Sequence, residues 1–179
     1  MGLLDQVGEV LITEEEIKQR AAELGEQITS DHKDDDVILV GILRGAVMWM
    51  TELMKHIKLD ITIDFMVCSS YGSSTRTSGV VRIDKDLSSD IKDKSVIIVE
   101  DIVDSGVTLT YLKKYLNGRN PKSVEVCSLL DKPAGRRAEV EADYKGFTVD
   151  DIFIVGYGLD YDQRYRQLPY ISYLKEEEQ

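Results

Sequence analysis

Basic side chains are in short supply in this sequence: 22 lysines and arginines stand against 33 aspartates and glutamates, a formal net charge of −11 over 179 residues. Such a surface disfavours nucleic acid and anionic membranes as partners, so any anionic ligand has to be captured by a local device. Cysteine is scarcer still. Cys68 and Cys127 each sit inside an apolar, strand-like stretch, which reads as two buried free thiols in a reducing compartment and excludes a disulfide framework. With two histidines and two cysteines scattered singly, no zinc-ligand spacing exists, and His32 and His56, beside charged neighbours, read as surface positions. Long apolar runs are absent as well. Residues 96–99 and similar stretches fall far short of the ~20 residues of a membrane helix, no charged-then-apolar leader opens the chain, and Gln6 stands where a myristoylation signal wants Ser or Thr. The cytoplasm is the expected compartment. Walker-type and dinucleotide fingerprints are also missing: no Gly-Lys-Ser/Thr ending occurs, and Gly156-Tyr157-Gly158 lacks a third glycine.

What is present suits one compact domain, since 42% hydrophobic and 31% charged residues give a chain apolar enough to fold alone. Ile17, Ala21, Leu24 and Ile28 fall on one face of a helix over residues 13–28, opened by the capping box Thr13-x-x-Glu16. The Asp34-Asp35-Asp36 run reads as a solvated loop rather than a metal site, because consecutive residues do not converge on one point. Residues 37–43 (VILVGIL) carry the apolar, β-branched signature of a strand buried on both faces. They lead through Arg44-Gly45 into a helix over 46–57, whose Trp49, Met48, Met50 and Met54 read as packing or a subunit interface. Further strands are expected at 61–68, 80–83, 95–100, 123–130 and 152–157, with a helix over 109–116 closed by Asn117-Gly118. Residues 73–79 are small, polar or basic, the composition of a mobile loop. Strands alternating with helices give an α/β fold with a largely parallel central sheet flanked by helices. Ligands of such sheets bind beyond the carboxyl ends of the strands.

The segment 96–109, Val-Ile-Ile-Val-Glu-Asp-Ile-Val-Asp-Ser-Gly-Val-Thr-Leu, falls at such an end. A buried strand delivers Glu100 and Asp101, and a loop of small, hydroxyl-bearing residues then opens into a helix. Backbone N–H groups at that helix start, with the Ser105 and Thr108 hydroxyls, make a nest for a phosphate monoester, and Gly106 lets the backbone come close. The loop alone fits equally a plain strand-to-helix turn with Asp104 or Ser105 as N-cap. Glu100-Asp101 favours the ligand reading, because two carboxylates at the end of a buried strand are costly unless they meet a cation or a polar ligand.

This segment resembles the phosphoribosyl pyrophosphate signature of type I phosphoribosyltransferases, specifically the hypoxanthine-guanine branch, and the resemblance extends over most of the chain. Leu43-Arg44-Gly45 is similar to the family's pyrophosphate-binding loop, often built around a cis peptide. Ser70-Tyr71 resembles the start of its flap, Asp131-Lys132-Pro133 its purine-reading lysine, and residues 153–161 its base-stacking and metal-contacting segment. Arg166 corresponds to a pyrophosphate-contacting arginine, and Arg136 to one placed near the pyrophosphate loop. The resemblance implies a single domain over 1–179, with a flexible flap at about 69–84 and a small hood made from the N-terminal and 150–179 segments. It implies Mg²⁺-dependent transfer of a phosphoribosyl group from phosphoribosyl pyrophosphate to a 6-oxopurine, with Asp104 as general base. Glu100 and Asp101 would hold ribose hydroxyls directly or through Mg²⁺-bound water, and Asp160 would contact a second Mg²⁺. Lys132, a donor only, would match the 6-oxo acceptor, while Phe153 and Ile102 cover the two ring faces and the main chain around Ile154 and Asp160 reads the ring edge. Two departures are noted: Arg44 stands where many relatives carry lysine, and Val107 occupies a variable position expected to offer only its N–H. Relatives are generally dimers or tetramers, so a homodimer or homotetramer is implied.

Two other classes compete. A regulatory protein of the same fold that binds nucleotides and RNA would need a basic face, and the cluster 132–137 is short in a strongly acidic chain. A phosphatase-like or signalling domain built on Glu100, Asp101 and Asp104 leaves Lys132, Phe153, Asp160 and Arg166 unexplained.

Overall fold

A computed structural model of the chain describes residues 3–70 and 81–175. Tyr71 and the loop expected at 73–79 lie outside the described residues, as does the Ser70 side chain.

The first helix, α1 (Glu14–Asp31), begins as its sequence dictates. Thr13 accepts the Glu16 N–H at 3.2 Å and the Glu16 carboxylate accepts the Thr13 N–H at 2.8 Å, a reciprocal cap that contributes about 1 kcal/mol. Glu14, Glu15 and Glu16 in the first turn add favourable charge at the helix's positive end. Ile17, Ala21, Leu24 and Ile28 are its buried face.

Among the described residues, six strands form the central sheet. They are β1 (Val37–Leu43), β2 (Ile61–Ser70), β3 (Val81–Lys85), β4 (Ser95–Val103), β5 (Ser123–Asp131) and β6 (Tyr144–Thr148), in the order β3-β2-β1-β4-β5-β6. All neighbours run parallel except β2 and β3. Side chains alternate across this sheet and build two cores. Val37, Leu39, Ile97 and Val99 face α1 and α2 (Val47–Met54), and Ile38, Val40, Val96 and Ile98 face α3 (Val107–Asn117). The mostly parallel α/β sheet expected from the sequence is therefore the fold. Among the described residues, no helix is long and apolar enough to cross a membrane.

Several local expectations need correction. α2 is shorter than 46–57, ending at Met54 before the chain turns towards β2; Trp49 and Met50 are buried against the sheet, so packing accounts for them. Gly118, expected to close α3, keeps a right-handed backbone, and the left-handed turn falls on Asn120 at φ 56°. The strand expected over 152–157 shrinks to β7 (Ile154–Val155), because residues 156–158 all enter left-handed backbone. It pairs with β8 (Ser172–Tyr173), while Val7 and Ile12 bridge to Leu174 and Ile171. His32 is buried rather than superficial, its Nδ1 2.9 Å from Asp35 and its Nε2 2.7 Å from Glu125. Asp35 is likewise withdrawn from the solvated loop, also accepting the Ser95 hydroxyl at 2.8 Å and pairing with Lys122. Both cysteines are free; Cys127 is buried, whereas Cys68 is half-buried.

Candidate active site

Three neighbouring parallel strands, β1, β4 and β5, end on the same side of the sheet and release the loops that make the site. At the end of β1 the Leu43-Arg44 peptide is cis, and the chain then passes Gly45. Gly45 is pressed against the next strand: a Cβ there would stand 1.8 Å from Asp101 Oδ2. At the end of β4 come Glu100, Asp101 and then the turn Asp104-Ser105-Gly106. Gly106, at φ 78°, is the N-cap of α3 and offers no side-chain cap, so the N–H groups of the first turn beyond Val107, whose own N–H meets Ser105 Oγ, stay available to an anion. Neither Asp104 nor Ser105 serves as the cap.

Two adjoining cavities result. The larger, about 310 Å³, is walled by Gly45, Glu100, Asp101, Asp104, Ser105, Gly106, Thr108, Asp160 and Arg166, with Cys68 at its side. The smaller, about 220 Å³, is lined by Lys132, Phe153, Ile154 and Leu159, and shares Asp101, Ile102, Asp104 and Asp160 with the first. Phe153 is 56% exposed and meets Tyr161 edge to face at 5.6 Å, leaving its ring free to cover a flat ligand.

Both carboxyls of the Glu100-Asp101 pair are pushed towards their neutral forms. Burial pushes the Asp101 carboxyl up to about 6, against the pull of the Ile102 N–H at 2.7 Å and of the Arg166 charge. Burial, and the charge of Asp101 beside it, lift Glu100 well above the usual carboxylate range. Two carboxyls held this way favour a cation or hydroxyl donors between them. Among the described residues, no three His, Cys, Asp or Glu side chains converge on a metal-sized point. That donor set fits Mg²⁺, which keeps several waters and takes one or two carboxylates plus substrate oxygens, and it does not fit a closed protein cage. Asp160 is already engaged by Arg166 at 2.8 Å and by the Gln163 N–H at 2.7 Å.

Lys132 Nζ stands 3.1 Å from Asp104 and 3.5 Å from Asp151, so without a ligand the lysine and Asp104 satisfy each other. Arg44 is exposed and lines neither cavity; its guanidinium donates to Gln163 Oε1 at 2.8 Å, and Arg166 donates to the same oxygen at 3.0 Å. Val107 also lines neither, its N–H directed at Ser105 Oγ at 3.4 Å. Arg136 lies at the 103–105 turn rather than at residues 43–45, donating to the carbonyls of Val103 and Asp104 and pairing with Asp131. Sequence reasoning missed Gln163, Asp151, Cys68 and the anchoring role of Asp131. Of these only Asp131, charged and directly before Lys132 at the end of an apolar run, carried a signal.

Comparison with known proteins gives one consistent result. A family model described as a phosphoribosyl transferase domain matches residues 9–162. The chain is 49% identical over 169 residues to the hypoxanthine-guanine phosphoribosyltransferase of Bacillus subtilis, covering 94% of each protein. A solved hypoxanthine phosphoribosyltransferase from Staphylococcus aureus superposes with a TM-score of 0.93 at 47% identity, over 96% of this chain and 93% of that one. The Trypanosoma cruzi hypoxanthine phosphoribosyltransferase, solved with its product IMP, superposes with a TM-score of 0.91 at 36% identity, over 98% of both chains.

Proposed function

The chain belongs to the phosphoribosyl transferase family, and from that membership we propose that it transfers the 5-phosphoribosyl group of phosphoribosyl pyrophosphate to N9 of hypoxanthine or guanine, releasing pyrophosphate. One observation carries this reading: an uncapped helix start and a basic-acidic floor in one cavity open directly onto a second cavity with an aromatic face and a lysine. The first suits a phosphorylated sugar and the second a purine ring.

The N–H groups at the start of α3, with Ser105 and Thr108, hold the 5-phosphate. Glu100 and Asp101 receive the ribose hydroxyls, and Arg166 and Asp160 border the pyrophosphate. Glu100, Asp101 and Asp160 are the residues that would hold Mg²⁺, which when bound supplies positive charge to the leaving pyrophosphate. As the bond to pyrophosphate lengthens, C1′ gains oxocarbenium character, and the purine N9 attacks it. Asp104 accepts the proton from N7. For that, Lys132 has to turn from Asp104 to the purine 6-oxygen, so arrival of the base both frees the proton acceptor and gives the ammonium a new partner. A 6-amino group offers no acceptor there, which disfavours adenine.

Two unpaired cysteines suit a cytoplasmic setting. A homodimer or homotetramer is proposed from the family resemblance, and exposed Val10, Leu11, Val47 and Ile63 are apolar side chains that an interface could cover. The regulatory, RNA-binding alternative gains no support, because Lys132 and Arg136 of the short basic stretch turn inward onto Asp104 and Asp131.

The test is nucleotide formation followed in the ultraviolet with phosphoribosyl pyrophosphate, Mg²⁺ and each of hypoxanthine, guanine, xanthine and adenine. Turnover is expected with 6-oxopurines and not with adenine, and Asp104→Asn is expected to lower kcat by roughly 10²- to 10⁴-fold. Absence of turnover with every base would overturn the reading.

A further inference from the structure

We propose that Asp131 is a positioning residue for this reaction: acting through Arg136, its buried carboxylate fixes the turn that carries Asp104. The inference rests on Asp104 being the proton acceptor.

Asp131 is the last residue of β5, and its side chain is 4% exposed. An unpaired carboxylate in such a place would be strongly destabilising, and two cations prevent that. One oxygen pairs with Arg136, and the other lies 2.8 Å from Lys145 Nζ on β6. Burial works to raise its pKa, but Lys145 and Arg136 hold it below the ordinary carboxylate value. It is a standing anion.

That anion aims the arginine. With one arm on Asp131, the Arg136 guanidinium donates through Nη1 to the Asp104 carbonyl at 2.7 Å and the Val103 carbonyl at 3.0 Å. The backbone of the same segment adds to the grip: the Lys132 N–H reaches the Val103 carbonyl at 2.9 Å, and the Arg137 and Ala138 N–H groups reach the Ser105 carbonyl at 2.9 and 3.1 Å. Gly135 packs directly against one side of the Asp104 carboxylate, where a Cβ would stand 1.7 Å from Oδ1. A planar fork can join a carboxylate to two carbonyl oxygens, whereas a lysine is a single point charge. Remove the charge of residue 131, and the guanidinium loses the partner that orients it, so the turn can drift. The start of α3 keeps its own support, with the Thr110 N–H on the Gly106 carbonyl at 2.9 Å. Proton transfer should therefore suffer more than binding of the phosphate.

The experiment measures full-length wild type, Asp131→Asn, Asp104→Asn and the double variant with hypoxanthine, phosphoribosyl pyrophosphate and Mg²⁺. Since displacing a reacting group by ~1 Å can cost ~10²-fold, Asp131→Asn is expected to lower kcat by about 10- to 100-fold while the KM for phosphoribosyl pyrophosphate changes by less than about threefold. On the Asp104→Asn background the same replacement should cost less than about threefold, because the group it aims is gone. Equal losses on the two backgrounds, or none on either, would overturn the inference. Lys145→Gln removes the outer cation and leaves the Arg136 pair, so it should lower thermal stability and leave kcat within about threefold. A kcat loss as large as that of Asp131→Asn would assign the effect to folding instead. Should Asp131→Asn fail to fold, Arg136→Lys is read by the same two-background comparison. Wild type that turns over no purine sinks the function reading and this inference with it. Wild type that is active but insensitive to Asp104→Asn sinks the base assignment alone and, again, this inference.

Discussion

Replacing Gly45 by alanine puts one methyl group where the floor of the larger cavity has no room for it. The new Cβ would stand 1.8 Å from Asp101 Oδ2 and 2.5 Å from its Cγ. To restore even a tight contact of ~3.0 Å, the carboxylate has to retreat by roughly 1.2 Å. Asp101 cannot retreat freely, because it holds the Ile102 N–H at 2.7 Å and borders both cavities. Forcing a methyl group into a packed site costs about 1–3 kcal/mol, and a central value of about 2 kcal/mol lowers Tm by roughly 4–8 °C in a chain of this length. In the proposed function Asp101 receives the ribose, and displacing such a group by ~1 Å costs about 10²-fold in kcat/KM. Gly45 lies outside the left-handed region, so alanine meets no backbone objection and the whole effect comes from Asp101. Scanning calorimetry and initial rates with hypoxanthine measure both losses. On an Asp101→Ala background the obstacle is gone, and Gly45→Ala should then leave Tm nearly unchanged. A Gly45→Ala protein with wild-type Tm and wild-type kcat/KM would refute the reasoning.

Two further outcomes are expected. Lys132→Met should raise the KM for hypoxanthine by roughly 10- to 100-fold, the loss of a charge-assisted hydrogen bond, and leave the KM for phosphoribosyl pyrophosphate near its original value; unchanged KM for the base would remove Lys132 from base recognition. Asp64 governs an acid limb of stability: burial favours its neutral form, but the N–H groups of Phe65, Ser89 and Ser88 outweigh that and hold the carboxyl at about 2, below its ordinary 3.8. A depressed carboxyl contributes stability that is present above its unfolded pKa and lost as pH falls through its folded one, here from about pH 4 to about pH 2, and the difference amounts to about 2 kcal/mol. Asp64→Asn should flatten urea-unfolding stability across that window, and an unaltered slope would count against the account.

What could be read from the sequence was what the chain states locally. The VILVGIL run, the Thr13 cap and the Glu100-to-Thr108 segment each hold their signal within a few neighbouring residues, and each lies where that signal put it. β6 was not anticipated, because Tyr-Lys-Gly-Phe-Thr is short and mixes a lysine and a glycine into an edge strand. His32 misled for the opposite reason: its chain neighbours are charged, but Glu125 and Tyr144, which enclose it, come from distant strands. The site divides in the same way. Glu100, Asp101 and Asp104 share one contiguous segment, whereas Gln163 between Arg44 and Arg166, and Asp151 beside Lys132, are meetings across loops that no spacing encodes.

The partition between the two cavities is made of residues that both of them own: Asp101, Ile102, Asp104 and Asp160. Among the described residues no separate wall stands between the cavities, so on the proposed reading a nucleoside monophosphate is a single body filling both rooms. A molecule that joins a purine-like ring to a phosphorylated arm is localised once rather than twice, and it should bind more tightly than either half alone by the entropy that the second half does not lose. The same geometry that brings two reactants together thus makes their joined form an inhibitor template and gives the enzyme's own product a reason to linger.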